Sequence, residues 1–256
     1  MKWINDYLSI MRKNVLTAFW VLLTQYLPAQ QYYNDSAMVS GAVEFAKLYY
    51  KQKRANQSSI YNGLLHHSYP SYIEGNAYFL IDSFHTGAVV YENILYKDIL
   101  MKYDVVADQL VVVANEQISM PITLFSPRVK EFSFSGLKFF YEDDTNNIST
   151  SLPEGFYQEL VSGRATAICK TTKIILESIK DVNVHYEFEQ QKRYYILKDS
   201  HSYLIKNKKD LLSILKDQKK EVQEFMRTKK LKFRKNKERT IVAVTEFYNN
   251  PPGKKS

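Results

Sequence analysis

The chain has 256 residues, 45% apolar and 24% charged, a balance that supports a packed core and excludes disorder throughout. Its eight glycines leave no G-x-G-x-x-G or G-x-x-x-x-G-K-[ST] phosphate loop, and its one cysteine excludes an internal disulfide, a cysteine zinc site and a C-x-x-C redox pair. The net charge of +8 is unevenly spread: residues 206–239 hold 14 Lys/Arg against 5 Asp/Glu, whereas residues 31–205 hold 16 against 20.

Residues 1–30 read as an export signal. Arg12-Lys13 forms a basic head, Asn14–Leu27 an apolar stretch, and Pro28-Ala29-Gln30 its end. That order is the layout of a cleaved secretory signal peptide, and the stretch falls short of the ~20 apolar residues that cross a bilayer. Met11 is the more natural start for such a signal, although cleavage after Ala29 leaves bulky Leu27 where a small residue is preferred. The competing reading is an amphipathic helix of a cytoplasmic protein, but Trp20–Leu23 has no polar face. The expectation is a mature chain from Gln31 with no transmembrane helix, in the periplasm or at the outer membrane. A lipid anchor would need a cysteine after the cut, and the only one is Cys169.

Apolar residues Val39, Ala42, Val43, Ala46, Tyr49 and Tyr50 recur at helical spacing, which predicts a helix over 36–52. Residues 60–85 are aromatic and irregular, with a turn at Tyr61-Asn62-Gly63. Short β-branched or aromatic runs predict strands at Thr86–Tyr91, Ile99–Val106, Gln109–Ala114, Ile118–Leu124, Val129–Phe134 and Leu137–Tyr141. Further strands are expected at Gly155–Leu160, Ala165–Lys170, Lys173–Glu177, Val184–Phe188, Tyr194–Leu197 and Ser202–Ile205, with turns at Ala107-Asp108, Ser135-Gly136 and Asp199-Ser200. Tight connections favour antiparallel pairing. From Lys208 the period becomes helical: Leu211, Leu212 and Leu215; then Val222, Phe225 and Met226; then Ile241, Val244, Thr245 and Tyr248, stopped by Pro251-Pro252. The fold class is therefore α+β: antiparallel meander or roll sheets with one N-terminal helix and a helical C-terminal segment. The expected parts are a signal over 1–30, a β-rich body over 31–206, a basic helical segment over 207–250 and a tail over 251–256.

Ile60-Tyr-Asn-Gly63, Gly75-Asn-Ala-Tyr-Phe79, Lys102-Tyr-Asp104, Gly155-Phe-Tyr157, Arg193–Asp199 and the Lys208–Asn249 segment occur in an order that resembles a family of secreted, uncharacterised proteins of Bacteroidota-type bacteria. The resemblance spans nearly all of the mature chain. It implies an envelope location and a β-rich body with a helical C-terminus. It brings no activity, cofactor or catalytic residue.

Candidate site residues fall in two groups. Tyr61, His66, His67, Tyr69, Tyr72, Tyr78 and His85 crowd residues 60–85. Tyrosine serves interfaces because it buries much area yet keeps a hydrogen-bonding end, and histidine with carboxylates is the donor set a metal or hydrolytic site would use. The bland reading places these rings in the core and the histidines in a surface loop. Asp104 and Asp108 flank a turn and are expected to serve it. The second group is the basic patch of Lys219, Lys220, Lys229, Lys230, Lys232, Arg234 and Lys235, which suits an anionic partner. Cys169 is expected to be a buried small apolar residue.

These readings converge on an exported, non-catalytic binding or assembly protein that docks onto an envelope complex and needs no cofactor or metal. Its partner would be another envelope protein, with anionic lipid or glycan as further options. Nucleic acid is disfavoured once the chain is exported; it becomes the partner of 206–239 only in a cytoplasmic protein. The alternative function is an envelope hydrolase or glycan-binding protein using His66–His85.

Overall fold

The structure, a computed structural model, describes residues 41, 43–47, 60–113, 120–143, 152–180 and 183–251. The chain divides after Lys53 into two units. In the first, Gly41 and residues 43–47 are helical, within the helix expected over 36–52. The remainder of that helix and the export signal over 1–30 lie outside the described residues. Among the described residues, no helix is long and apolar enough to cross a membrane.

The second unit is mostly sheet. Among the described residues twelve strands form one sheet: β1 (Leu64–Leu65), β2 (Ile73–Glu74), β3 (His85–Tyr91), β4 (Ile94–Asp104), β5 (Gln109–Val113), β6 (Pro121–Thr123), β7 (Val129–Phe134), β8 (Leu137–Glu142), β9 (Gly155–Val161), β10 (Thr166–Lys180), β11 (Asn183–Lys198) and β12 (His201–Ile205). Their order is β1-β6-β5-β4-β3-β7-β8-β9-β10-β11-β12, with β2 lying parallel to β11. The sheet is thus two antiparallel meanders, β3–β6 and β7–β12, joined where β3 pairs with β7. One parallel pair makes it mixed, and it is larger than the meander expected.

Three hairpins turn on two consecutive left-handed residues: Glu92-Asn93, Ser135-Gly136 and Asp199-Ser200. Paired left-handed residues match the right-handed twist of the flanking strands. Two of these turns were expected. Glu92-Asn93 was not, and it starts β4 at Ile94 rather than Ile99. The pairs expected as separate strands, Ala165–Lys170 with Lys173–Glu177 and Val184–Phe188 with Tyr194–Leu197, are each one strand. They form a single long hairpin, paired in continuous register from Thr166↔Leu197 to Lys180↔Asn183.

The sheet folds back on itself at the end of β4. The Val105 carbonyl accepts from Lys173 N–H of β10 at 3.1 Å, while Val105 N–H donates to Ala77 at 3.0 Å. Residues 77–79 are thereby held along β4, with Tyr78 opposite Asp104.

Alternation along β10 and β11 separates two faces. Ala165, Ala167, Cys169, Tyr194 and Ile196 face the helices, and Ile168 and Tyr195 face the opposite side with Tyr157. The helices are α1 (Lys208–Ile214), α2 (Lys219–Thr228) and α3 (Lys237–Asn249). Asn207 caps α1 by accepting from Lys209 and Asp210 N–H, and Asn236 caps α3 by accepting from Arg239 N–H. Their apolar stripes, including Leu211, Leu215, Val222, Met226, Ile241 and Val244, share one core with β9–β12. The helical segment is therefore packed on the sheet within the same unit. A second core, rich in Phe and Tyr, lies under β3–β8.

Candidate functional site

Segment 60–85 crosses the fold in short pieces and is pinned by side chains of the sheet. Tyr78 is buried, and its hydroxyl lies 2.9 Å from His66 Nε2. The other ring nitrogen of His66 is 3.4 Å from the Thr123 hydroxyl. Tyr69 donates to the Asp104 carboxylate at 3.1 Å. The same carboxylate accepts from Val106 and Ala107 N–H at 2.9 and 3.0 Å, the turn role expected of it. Lys102 places its ammonium 2.7 Å from Asp82 and 3.6 Å from the centre of the Tyr78 ring. Buried Lys173 donates to the carbonyls of Asn76 at 2.7 Å and Tyr78 at 2.5 Å.

Burial sets most of the electrostatics here. It pulls His66 below its ordinary range, with Lys102 and His67 adding to that and Asp104 and Asp82 opposing it. It pushes Tyr69 and Tyr78 up; at Tyr69 the Asp104 charge adds to the effect. Lys102 is driven down by burial, but its contacts with Asp82 and Tyr78 outweigh that and leave it raised. Lys173 is lowered by burial.

The expected residues are only partly brought together. His66, Tyr69 and Tyr78 join one polar network through Asp104 and Lys102. Tyr61 packs against the β3–β8 core, and burial raises its hydroxyl pKa. His67 and Tyr72 are exposed, and Tyr72 sets its ring edge against Tyr186. His85 is outside this network: it stacks on Phe134 and its Nδ1 lies 3.3 Å from the Ser135 hydroxyl. Among the described residues there is no group of three or more His, Cys, Asp or Glu placed to hold a metal ion.

A second charged cluster was not anticipated. Asp108 accepts from the buried Tyr103 hydroxyl at 2.5 Å and from Lys170 at 2.5 Å. Above it opens a cleft of about 680 Å³ lined in part by Asn62, Gln109, Phe125, Tyr141 and Glu154. Both carboxylates in that cleft are engaged, because Tyr141 donates to Glu154. Gly155, at φ +125°, closes over the ion pair. A Cβ there would sit 2.0 Å from both the Asp108 carboxylate and the Lys170 ammonium, so any larger residue would displace that pair as well as strain the backbone.

The basic segment is organised around a cleft of about 900 Å³. Of the expected patch, only Lys232 and Arg234 border it. They are joined by Lys206, Lys208, Lys209 and Lys237, which belong to the same charge run but not to the expected patch. Lys219, Lys220, Lys229, Lys230 and Lys235 are exposed on α2 and the following turn, away from the cleft lining.

Cys169 is buried in the core shared with the helices, as expected, and burial pushes its thiol up to about 11. No family model matches the chain, and neither a curated protein nor a solved structure matches it.

Proposed function

We propose that the protein is an exported, non-catalytic binding protein of the bacterial cell envelope that docks onto a periplasmic or outer-membrane protein complex. One observation carries the reading. Leu64, Leu65, Tyr72, Leu80 and Ile81 are all exposed large apolar side chains of one short segment, Leu64 being 80% exposed. Such a concentration is a feature of interaction surfaces rather than of ordinary solvated ones. The same segment is anchored from within by Lys102, Asp104 and Lys173, so little ordering is required on binding. The partner has an apolar face bordered by acidic groups, toward which the lysine-rich segment steers it.

The test is recovery of the tagged protein from its native cell. The expected product begins near Gln31, sits in the envelope fraction and retains a bound protein. Changing Leu64→Ser, Leu65→Ser and Ile81→Ser together should release that partner with the melting temperature unchanged. Intact protein in the cytosol would overturn the reading, as would recovery of an unaccompanied monomer.

One observation favours the second reading, an envelope hydrolase or glycan-binding protein. His85 Nε2 is buried with no hydrogen-bond partner among the described residues, as a residue awaiting a ligand would be. Hydrolysis or saturable binding of cell-wall glycan, lost in His85→Gln, would sustain it.

A further inference from the structure

The basic cleft is built by two stretches of chain that are distant in sequence. Residues 206–209 lead into α1, and residues 231–237 connect α2 to α3. Lys206, Lys208, Lys209, Lys232, Arg234 and Lys237 line it, and among the described residues none of them forms an ion pair. The acids of the same region already have partners, and the one nearest the cleft, Asp210, offsets part of the charge of Lys237. Asp210 accepts from Lys206 and Asn207 N–H, Asp217 pairs with Arg164 and Lys198, and Glu238 pairs with Lys192. No acidic residue lines the cleft among the described residues. The floor is apolar, formed by half-buried Leu231 and buried Phe233. Lys237 is partly buried between rings, its ammonium 5.2 Å from the Tyr194 centroid and 6.0 Å from that of Phe233.

Clustered cations raise each other's free energy, and solvent and salt offset this only in part where the site is concave and floored by rings. A bound anion relieves that repulsion. The required charge is dense. A phosphate group offers close to two negative charges and three acceptor oxygens in one place, which suits several ammonium groups and one guanidinium converging on it. Peptide carboxylates carry one charge each and are spaced along a chain. Duplex nucleic acid needs an extended basic track, whereas these cations surround one concavity and the body of the chain is acidic.

We propose that this cleft is a binding site for a phosphate-bearing anion, with Lys208, Lys232 and Arg234 as its exposed ligating groups. The site is separate from the apolar docking segment, so either proposal can fail without the other. The chemistry is shared by a free phosphate compound and by an anionic lipid headgroup, and the test separates them.

The full chain is titrated calorimetrically with inorganic pyrophosphate and, in parallel, floated with vesicles of phosphatidylglycerol in phosphatidylcholine, both at physiological ionic strength. The cleft variant combines Lys208→Gln, Lys232→Gln and Arg234→Gln. A control of equal charge combines Lys219→Gln, Lys220→Gln and Lys229→Gln. Saturable pyrophosphate binding is expected, weakened about tenfold or more in the cleft variant and under about twofold in the control. If pyrophosphate also displaces the protein from vesicles, a headgroup is the natural source; if it binds without any vesicle association, a free phosphate compound is. Absence of saturable pyrophosphate binding, or equal weakening in both variants, would overturn the proposal.

Discussion

Lys170 and Asp108 meet across the two meanders. The ammonium extends from β10 to 2.5 Å from the carboxylate in the β4–β5 turn, which the Tyr103 hydroxyl approaches from the other side at 2.5 Å. The pair ties strands that are far apart in the sheet order, so its loss affects the docking of the second meander on the first. Replacing Lys170 by Met leaves an uncompensated carboxylate under Gly155, held only by the Tyr103 phenol and, at 3.4 Å, the Phe156 N–H. Since Asp108 keeps 27% of its side-chain exposure, the cost falls below that of a fully buried pair, about 2 kcal/mol. A urea titration should show the lowered midpoint, and adding Asp108→Asn should recover part of it. An unchanged midpoint for Lys170→Met would contradict this role.

Gly87 lies in β3 where that strand pairs with β7. A Cβ there would lie 2.1 Å from the Ser133 carbonyl oxygen and 3.0 Å from Phe134 Cβ. Backbone cannot yield as a flexible side chain can, so the strands must separate locally. Gly87→Ala is expected to cost about 3 kcal/mol, whereas Gly136→Ala, with open space around its Cβ position, meets only the left-handed strain of its φ of +73°, about 1 kcal/mol. Thermal denaturation of the two variants should place Gly87→Ala clearly lower.

His66 makes stability depend on pH near neutrality. Its folded pKa is lowered mainly by burial, from an ordinary value of 6.5. Between these two values the unfolded chain binds more protons than the native one, so stability declines as the pH falls below 6.5 and levels off below the folded pKa. His66→Gln keeps a polar contact with Tyr78 and removes the titration. Its stability profile should be flatter than that of the native protein over this window, and coincident profiles would show that His66 does not carry the effect.

Much of the fold is legible wherever turn residues announce themselves. Ser135-Gly136 and Asp199-Ser200 are small or short polar residues that tolerate left-handed backbone, and the hairpins fall where they stand. Glu92 adopts the same conformation without belonging to that set, so the first half of β4 goes unread. The long β10–β11 hairpin is divided in the sequence reading because Lys170 and Lys173 look like strand ends and residues 189–193 are a polar run. In the structure both lysines are buried side chains, one satisfied by Asp108 and the other by the carbonyls of Asn76 and Tyr78. Their partners are distant in sequence, and no local pattern reveals them. The same limit applies to the sites. His66 and Tyr78 are visible as neighbours on one segment, but Asp104, Lys102 and Lys173 join them only through the sheet. A run of lysines is visible too; which of them converge depends on how α2 returns the chain to the start of α1.

Cys169 should be chemically silent in the native protein. Its thiol is buried among Tyr194 and the helices, and burial pushes its pKa up to about 11, which leaves little thiolate for attack on an alkylating reagent. Iodoacetamide labelling followed by mass spectrometry should find no adduct under native conditions and full modification in urea. Rapid native labelling would mean that the core beneath α3 opens far more often than its packing allows.

The pairing of β3 with β7 has a kinetic consequence. Within each meander every strand hydrogen-bonds to its sequence neighbour, so both halves can zip by local steps. The β3–β7 seam and the Val105–Lys173 clasp must wait until the halves have formed, because loop closure precedes the contacts that reward it. Pulse-labelled amide exchange during refolding should therefore protect the β10–β11 hairpin before the amides shared by β3 and β7. Until that seam shuts, β3 and β7 are open edges, and crowding at this stage would divert the chain toward intermolecular strand exchange.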